Sequence, residues 1–318
     1  MCNTWLLAVI GHPVSVLRKL NSIMKTIRWF VGLAITLSLA KSAFAVPDGP
    51  KIEQITGLKG KATGDVFKVS APREDVKVKV DGVAMPPFMG LTSWAAFTEM
   101  KHGGTMVMGD IVLFEDEVNA TMSAAFDAGL AVTALHNHFF FDQPKVYFMH
   151  IGGEGDLEKL AAGVKAVLSQ PREIRSRRAS IADSFGKKSP GKNAITPAPI
   201  EAVLGKGEAK DGILKVTIGR TAMMHDTAVA KDMGVNTWAA FAGTDDDAIV
   251  DGDFSVTEDE LQLVLKSLRA AGINIVAIHQ HMTHEQPRIM FLHYWGRGKA
   301  VELARGVKEA LLLTKHDQ

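Results

Sequence analysis

The 318-residue chain has one cysteine, two tyrosines and almost no surplus of either charge. Each scarcity closes a class. A lone Cys2 excludes an internal disulfide, a thiolate zinc site, an iron–sulfur cluster and a cysteine nucleophile, so any metal must be held by histidines and carboxylates. Lys and Arg total 36 against 35 Asp and Glu, which gives no electrostatic ground for a nucleic-acid partner. Also absent are a glycine-rich phosphate loop, a G-x-S-x-G elbow and a dinucleotide fingerprint, so kinase, Rossmann and α/β-hydrolase chemistries lack support. What remains, 47% hydrophobic and 22% charged, is the composition of a globular protein.

The basic excess lies at the N-terminus, where Arg18, Lys19, Lys25, Arg28 and Lys41 precede residue 46 without an acid. From Met24 the chain reads Lys25 to Arg28, an apolar run from Trp29 to Ala40, then Ala43-Phe44-Ala45 before Val46-Pro47. A basic start, a short apolar stretch and a small-x-small site make a secretory signal peptide, with cleavage expected after Ala45. The run falls short of the roughly 20 residues a membrane span needs, so no stable membrane insertion is expected after cleavage. The expected location is periplasmic or secreted.

The rest of the chain is one module written twice. Ile52-Glu53 through Lys68-Val69 answers Ile200-Glu201 through Lys215-Val216, and Trp94-Ala95-Ala96-Phe97 returns as Trp238-Ala239-Ala240-Phe241. Gly109-Asp110 answers Gly252-Asp253, and Glu115-Asp116-Glu117 answers Glu258-Asp259-Glu260. The expected division is a leader and N-terminal extension over 1–45, a first module over 46–169, a basic, proline-containing linker over 170–199 and a second module over 200–318.

Within each copy, alternating strands lead to a helix that ends at Gly129 or Gly272. A two-strand segment around Gln-Pro and a second amphipathic helix follow. In the second copy Thr257-Glu258-Asp259-Glu260 reads as a capping box. The fold class expected is α+β: two tandem homologous modules related by a pseudo-two-fold, each a mainly antiparallel sheet with helices on one face.

The chemistry concentrates in H-x-H-x3-[DE]-Q-P-x5-H, present twice. It comprises His136, His138, Asp142 and His150, then His279, His281, Glu285 and His293. Residues two apart on a strand share a face, and a hairpin centred near Gln143 would set His150 opposite His136. Three imidazoles converging from adjacent strands, with a fourth position open, suit a divalent ion, zinc first, with iron, manganese or copper as alternatives. Asp142 and Glu285 read either as a fourth ligand or water-activating base, or as caps of the turn. Arg73 and Arg220, each after a strand, can clamp a substrate carboxylate or phosphate, or form ion pairs. Trp94 and Trp238 read as core, and the repeated acids before the helices as partners of the helix dipole.

These motifs, with the Trp-Ala-Ala-Phe segments in a duplicated exported chain, resemble the LppY/LpqO family of bacterial envelope proteins, a domain of unknown function. The resemblance spans most of residues 52–318 and implies the duplication and the envelope location, with no activity to carry over. Lipoproteins occur in that family, but no cysteine follows the apolar run here, so the lipid anchor does not transfer. The H-x-H-x3-[DE] spacing also looks like a cupin metal motif, although helices flanking the two strands do not fit a double-stranded barrel. The sequence thus supports a metal-dependent hydrolase with three-histidine sites in both modules. The alternative is a non-catalytic envelope protein binding a small molecule, a metal or a cell-wall component through Phe139, Phe140, Phe148 and Trp295.

Overall fold

The computed structural model describes residues 46–177 and 192–317; the segment expected to be a signal peptide lies outside the described residues. Among the described residues no helix is long and apolar enough to cross a membrane.

Local chemistry sets the element ends. Helix α1 (Gly49–Thr56) opens where the Asp48 side chain accepts from the Lys51 N–H, and closes at Gly57, whose φ of 72° favours glycine. Strand β2 (Val66–Pro72) alternates buried and exposed residues, the signature of a strand with one face on the core. Helix α5 (Glu258–Ala270) begins with Glu260 accepting from the Thr257 N–H at 2.9 Å, as the capping box requires.

The first repeat contributes β1 (Gly60–Thr63), β2, β5 (Thr92–Glu99), β6 (Thr105–Phe114), β9 (Val146–Gly155) and β7 (Ala131–His136), in that spatial order. The second answers with β10 (Glu208–Lys210), β11 (Ile213–Gly219), β14 (Asn236–Gly243), β15 (Ala248–Thr257), β18 (Ile289–Gly298) and β16 (Asn274–His279). All these pairings are antiparallel, and β7 meets β16 at the centre, so the repeats share one 12-stranded sheet. The α+β reading and the tandem repeat hold.

On one face lie the helices, including α2 (Val118–Asp127), α3 (Leu157–Arg177), α5 and α6 (Ala300–Leu311), over the main core of Ile111, Leu113, Leu135, Met149, Ile278 and Leu292. Val112 and Phe114 alternate with Ile111 and Leu113, so they point to the opposite face. There they pack with Val78, Leu91 and Phe148 beneath a three-stranded flap of β3 (Lys79–Val80), β4 (Val83–Ala84) and β8 (Asp142–Gln143). The second repeat carries the matching flap of β12 (Ala222–Met224), β13 (Thr227–Val229) and β17 (Glu285–Gln286) over Ile289 and Phe291.

The seam between the repeats has a single ladder pair, Leu135 opposite Ile278. Each seam strand is bulged, between Val132 and Ala134 and between Ile275 and Ala277. Side-chain amides from the other repeat take up the freed backbone. Asn119 on α2 receives the Ile275 N–H at 2.7 Å and donates to the Ile275 carbonyl at 3.0 Å. Gln262 on α5 receives the Val132 N–H at 3.0 Å and donates to its carbonyl at 2.7 Å. An unsatisfied buried backbone group costs about 1–3 kcal/mol, so these two amides hold the halves together where the ladder does not.

The expected linker is shorter than its composition suggested. Helix α3 runs through buried Pro171 to Arg177, and helix α4 (Pro197–Leu204) starts before residue 200. Trp94 and Trp238 are not core residues. They lie half-buried on the flap side of the sheet, with Lys68 and Lys215 ammonium groups 4.1 and 4.4 Å from the ring centroids.

Candidate metal centre

In the second repeat, β15 and β18 set Asp253 directly opposite His293. His279 is the last residue of β16, and His281 follows just beyond it. Asp253, His279 and His281 each bring one ligand atom to within 4.8 Å of the others. The His279 and His293 rings stack with centroids 4.8 Å apart, and His281 lies flat on Phe291 at 3.5 Å. Asp253 is only 2% exposed.

The hydrogen bonds set the tautomers. His281 Nδ1 lies 3.2 Å from the Gly234 carbonyl oxygen, and His293 Nδ1 lies 3.2 Å from that of Gly252. A carbonyl only accepts, so each Nδ1 carries the proton, and in the neutral ring each Nε2 carries a lone pair. The His281 Nε2 faces Asp253 Oδ2 at 3.3 Å. Two lone-pair atoms at that distance need a cation, a proton or a metal, between them. The edge of a tetrahedron around an ion with 2.0–2.1 Å bonds is about 3.3 Å. Asp253 Oδ1 and His279 Nδ1 are buried and, among the described residues, without a hydrogen-bond partner.

Electrostatics keeps the imidazoles available. Burial, then the neighbouring His293 and His281, push His279 down to about 4. Burial likewise lowers His136 and His138. The same burial pushes the Asp253 carboxyl up, against the pull of His293 and His281. His279 takes up a proton in the unfolded chain near 6.5 but in the fold only near 4. The unfolded state therefore binds more protons between those values. The metal-free protein is expected to hold its stability above pH 6.5 and to lose it progressively as pH falls toward 4. Urea midpoints in chelator should show this slope, and His279→Gln should flatten it; parallel curves for the two proteins would refute the assignment.

The structure brings His136, His138 and His150 together in the first repeat, by a different register from the one expected. Strand β7 stops at His136, so His138 lies past its end. Phe148, not His150, sits opposite His136, because the β7–β9 pairing next to the turn is centred on Asp142 rather than on Gln143. His136 and His150 meet diagonally instead, their rings stacked at 5.1 Å.

Asp142 and Glu285 are buried at the flaps. Asp142 accepts from the Val146 N–H at 2.6 Å and Glu285 from the Ile289 N–H at 3.0 Å, each closing the turn around a cis Gln–Pro bond. The grouped ligand atoms come from Asp253 rather than Glu285. Arg73 and Arg220 are buried, and their guanidinium groups pair with Glu117 and Glu260, the ion-pair reading of these two residues. The residue that the sequence reading passed over is Asp253, with its counterpart Asp110. Both had been noted in the repeated Gly-Asp pair, and an acid inside an apolar strand was the available signal.

A family model described as Domain of Unknown Function (DUF1259) matches residues 50–170 and again 198–312. The chain belongs to the DUF1259 family. Each DUF1259 match spans one repeat, so the family unit is the six-stranded half-sheet with its flap and helices, and every histidine of the two clusters lies inside a match. No match was found among curated proteins. Among solved structures, the DUF1259 chain has a likeness to a double-ringed trimeric shell protein from the RMM microcompartment. The identity is 10% and the TM-score 0.16, covering 66% of this chain and 81% of that one. A trimeric bacterial microcompartment shell protein, PduB, matches at 10% identity and TM-score 0.19, covering 81% and 90%.

Proposed function

We propose that this protein binds a divalent transition ion through Asp253, His279 and His281, with His293 beside them, and uses it as a metal-dependent hydrolase. The observation that carries the reading is the His281 Nε2 lone pair held 3.3 Å from a buried carboxylate oxygen whose partner oxygen makes no hydrogen bond among the described residues. Two or three nitrogen ligands with one carboxylate suit zinc first, and iron, manganese or copper in other coordination geometries. A bound ion would supply Lewis acidity and a water of lowered pKa. The protein's part is to hold neutral imidazoles in fixed tautomers and a desolvated carboxylate at one point of the sheet. Glu285 is engaged in its turn, so Asp253 takes the carboxylate role at this site.

The signal-peptide pattern before Val46 and the resemblance to LppY/LpqO envelope proteins support an exported location. A second reading, a non-catalytic binding protein, is favoured by Phe140 and Phe141, 85% and 79% exposed two and three residues after His138. Elemental analysis and a chromogenic ester and phosphoester screen separate the two. A hydrolase should hold near-stoichiometric metal, lose activity to chelator, and lose both in His279→Ala. Metal without turnover favours the binding protein, and no uptake even after reconstitution rejects the metal site.

A further inference from the structure

We infer that the first repeat holds a second metal ion, between Asp110, His136, His138 and His150, on the same face of the sheet as the site of the second repeat. Three independent observations converge. His136 Nε2 and His138 Nε2 face each other at 3.2 Å. That is close to the roughly 3.3 Å tetrahedral edge expected of two imidazoles on one ion. Asp110 lies opposite His150 in the β6–β9 register, as Asp253 lies opposite His293, and its Oδ1 is buried with no partner among the described residues. The His136 and His150 rings stack within 9° of parallel, as His279 and His293 do.

The alternative explanation of the 3.2 Å approach is a simple N–H···N bond between neutral rings. That bond satisfies the two nitrogens but leaves Asp110 Oδ1 orphaned, a cost that a cation removes. The site also has the build of a ligand set rather than of a packed core. His138 is braced flat against Phe148 at 3.3 Å, just as His281 is braced on Phe291. Because Leu135 pairs with Ile278 at the seam, His136 and His279 are diagonal neighbours on adjacent strands. Such positions are about 7–8 Å apart. The two ions therefore sit side by side across the pseudo-two-fold, and one ligand can reach both.

The inference rests on the metal reading of the second repeat only for its chemistry, and counting ions separates the two. The purified chain is loaded with zinc, dialysed and analysed for metal, and a cobalt titration gives an independent optical count. Wild type should bind two ions, Asp110→Ala/His136→Ala one, Asp253→Ala/His279→Ala one, and the four-site variant none. Unfolding midpoints and far-ultraviolet circular dichroism establish that each variant is folded, and Asp110→Asn/His136→Gln replaces the first pair if it is not. A wild type with one ion, kept by the first-repeat variant and lost by the second-repeat variant, would overturn this inference and leave the proposed function standing. A wild type with none would overturn both.

Discussion

Zinc at a thousand times its dissociation constant is expected to raise the unfolding free energy by about 4.1 kcal/mol. Asp253→Asn is expected to abolish most of the gain contributed by the second-repeat site and to keep that of the first. The argument starts from where the ligands come from. Asp253 is on β15, His279 ends β16 and His281 lies beyond it, so the set exists only when the strands are paired. Binding free energy is then folding free energy. The variant has a second, opposite effect in chelator. Asp253 is 2% exposed with Oδ1 unpartnered among the described residues, so the native carboxylate carries a larger desolvation cost than the neutral amide. The metal-free variant should match or exceed wild type while the zinc-loaded variant falls below it. Urea melts with and without zinc measure both arms. A variant that is weaker in chelator as well would mean that Asp253 serves the fold and not an ion.

The duplication, the helix boundaries at Gly129 and Gly272, and the clustering of three histidines per repeat were legible because they are local or periodic. The exact meeting of the histidines was not. Parity puts His136 and His150 on one face, but the pairing is centred on Asp142 instead of Gln143, a two-residue slip that keeps the face and moves the partner of His136 to Phe148, and a separate bulge interrupts β7 between Val132 and Ala134. A bulge of this kind has no strong sequence mark when, as here, the extra residue is Thr133, a good strand former. The carboxylate beside the histidines was hidden for another reason. Asp110 and Asp253 reach the histidines only because β6 neighbours β9 and β15 neighbours β18, and strand order is a non-local fact. Asp142 and Glu285 are closer in sequence to the histidines, yet their Val146 and Ile289 N–H bonds tie them to the flap turns.

The seam was illegible for a similar reason. Nothing about Asn119 or Gln262 on a helix face announces that the amide will bond the backbone of the other repeat. The two differ in length by one methylene, yet each makes the same pair of bonds, to Ile275 and to Val132. A tandem repeat predicts two modules, whereas fusion of their edges removes two of the four sheet edges that separate modules would expose. The same fusion brings His136 and His279 to adjacent strands, so the seam belongs to the architecture of the site as well as to stability.

Glu117→Ala is expected to cost about 3–5 kcal/mol, the usual penalty for removing one member of a buried ion pair. Glu117 is fully buried and receives Arg73 Nη1 and Nη2 at 2.7 and 2.9 Å and the Phe114 N–H at 2.9 Å, while Arg175 Nε lies 3.0 Å from it. Arg73 also reaches the Val112 carbonyl, so this one carboxylate ties β6, the start of α2 and the end of α3 together. Its removal leaves Arg73 with only Asp75 and the Val112 carbonyl and leaves the Phe114 N–H unmet. Arg73→Met with Glu117→Leu should recover most of the loss, because deleting both charges leaves neither uncompensated and Arg175 keeps Asp116. The counterpart Glu260→Ala should cost less. Glu260 holds Arg220 at 2.6 Å but is itself 9% exposed where Glu117 is fully buried, so water can enter the gap its side chain leaves, although the two arginines are equally buried. Urea unfolding of the three variants measures the order. Equal losses at Glu117 and Glu260 would mean that contact with solvent does not set the cost, and a double variant no better than Glu117→Ala would place the loss in packing instead of charge.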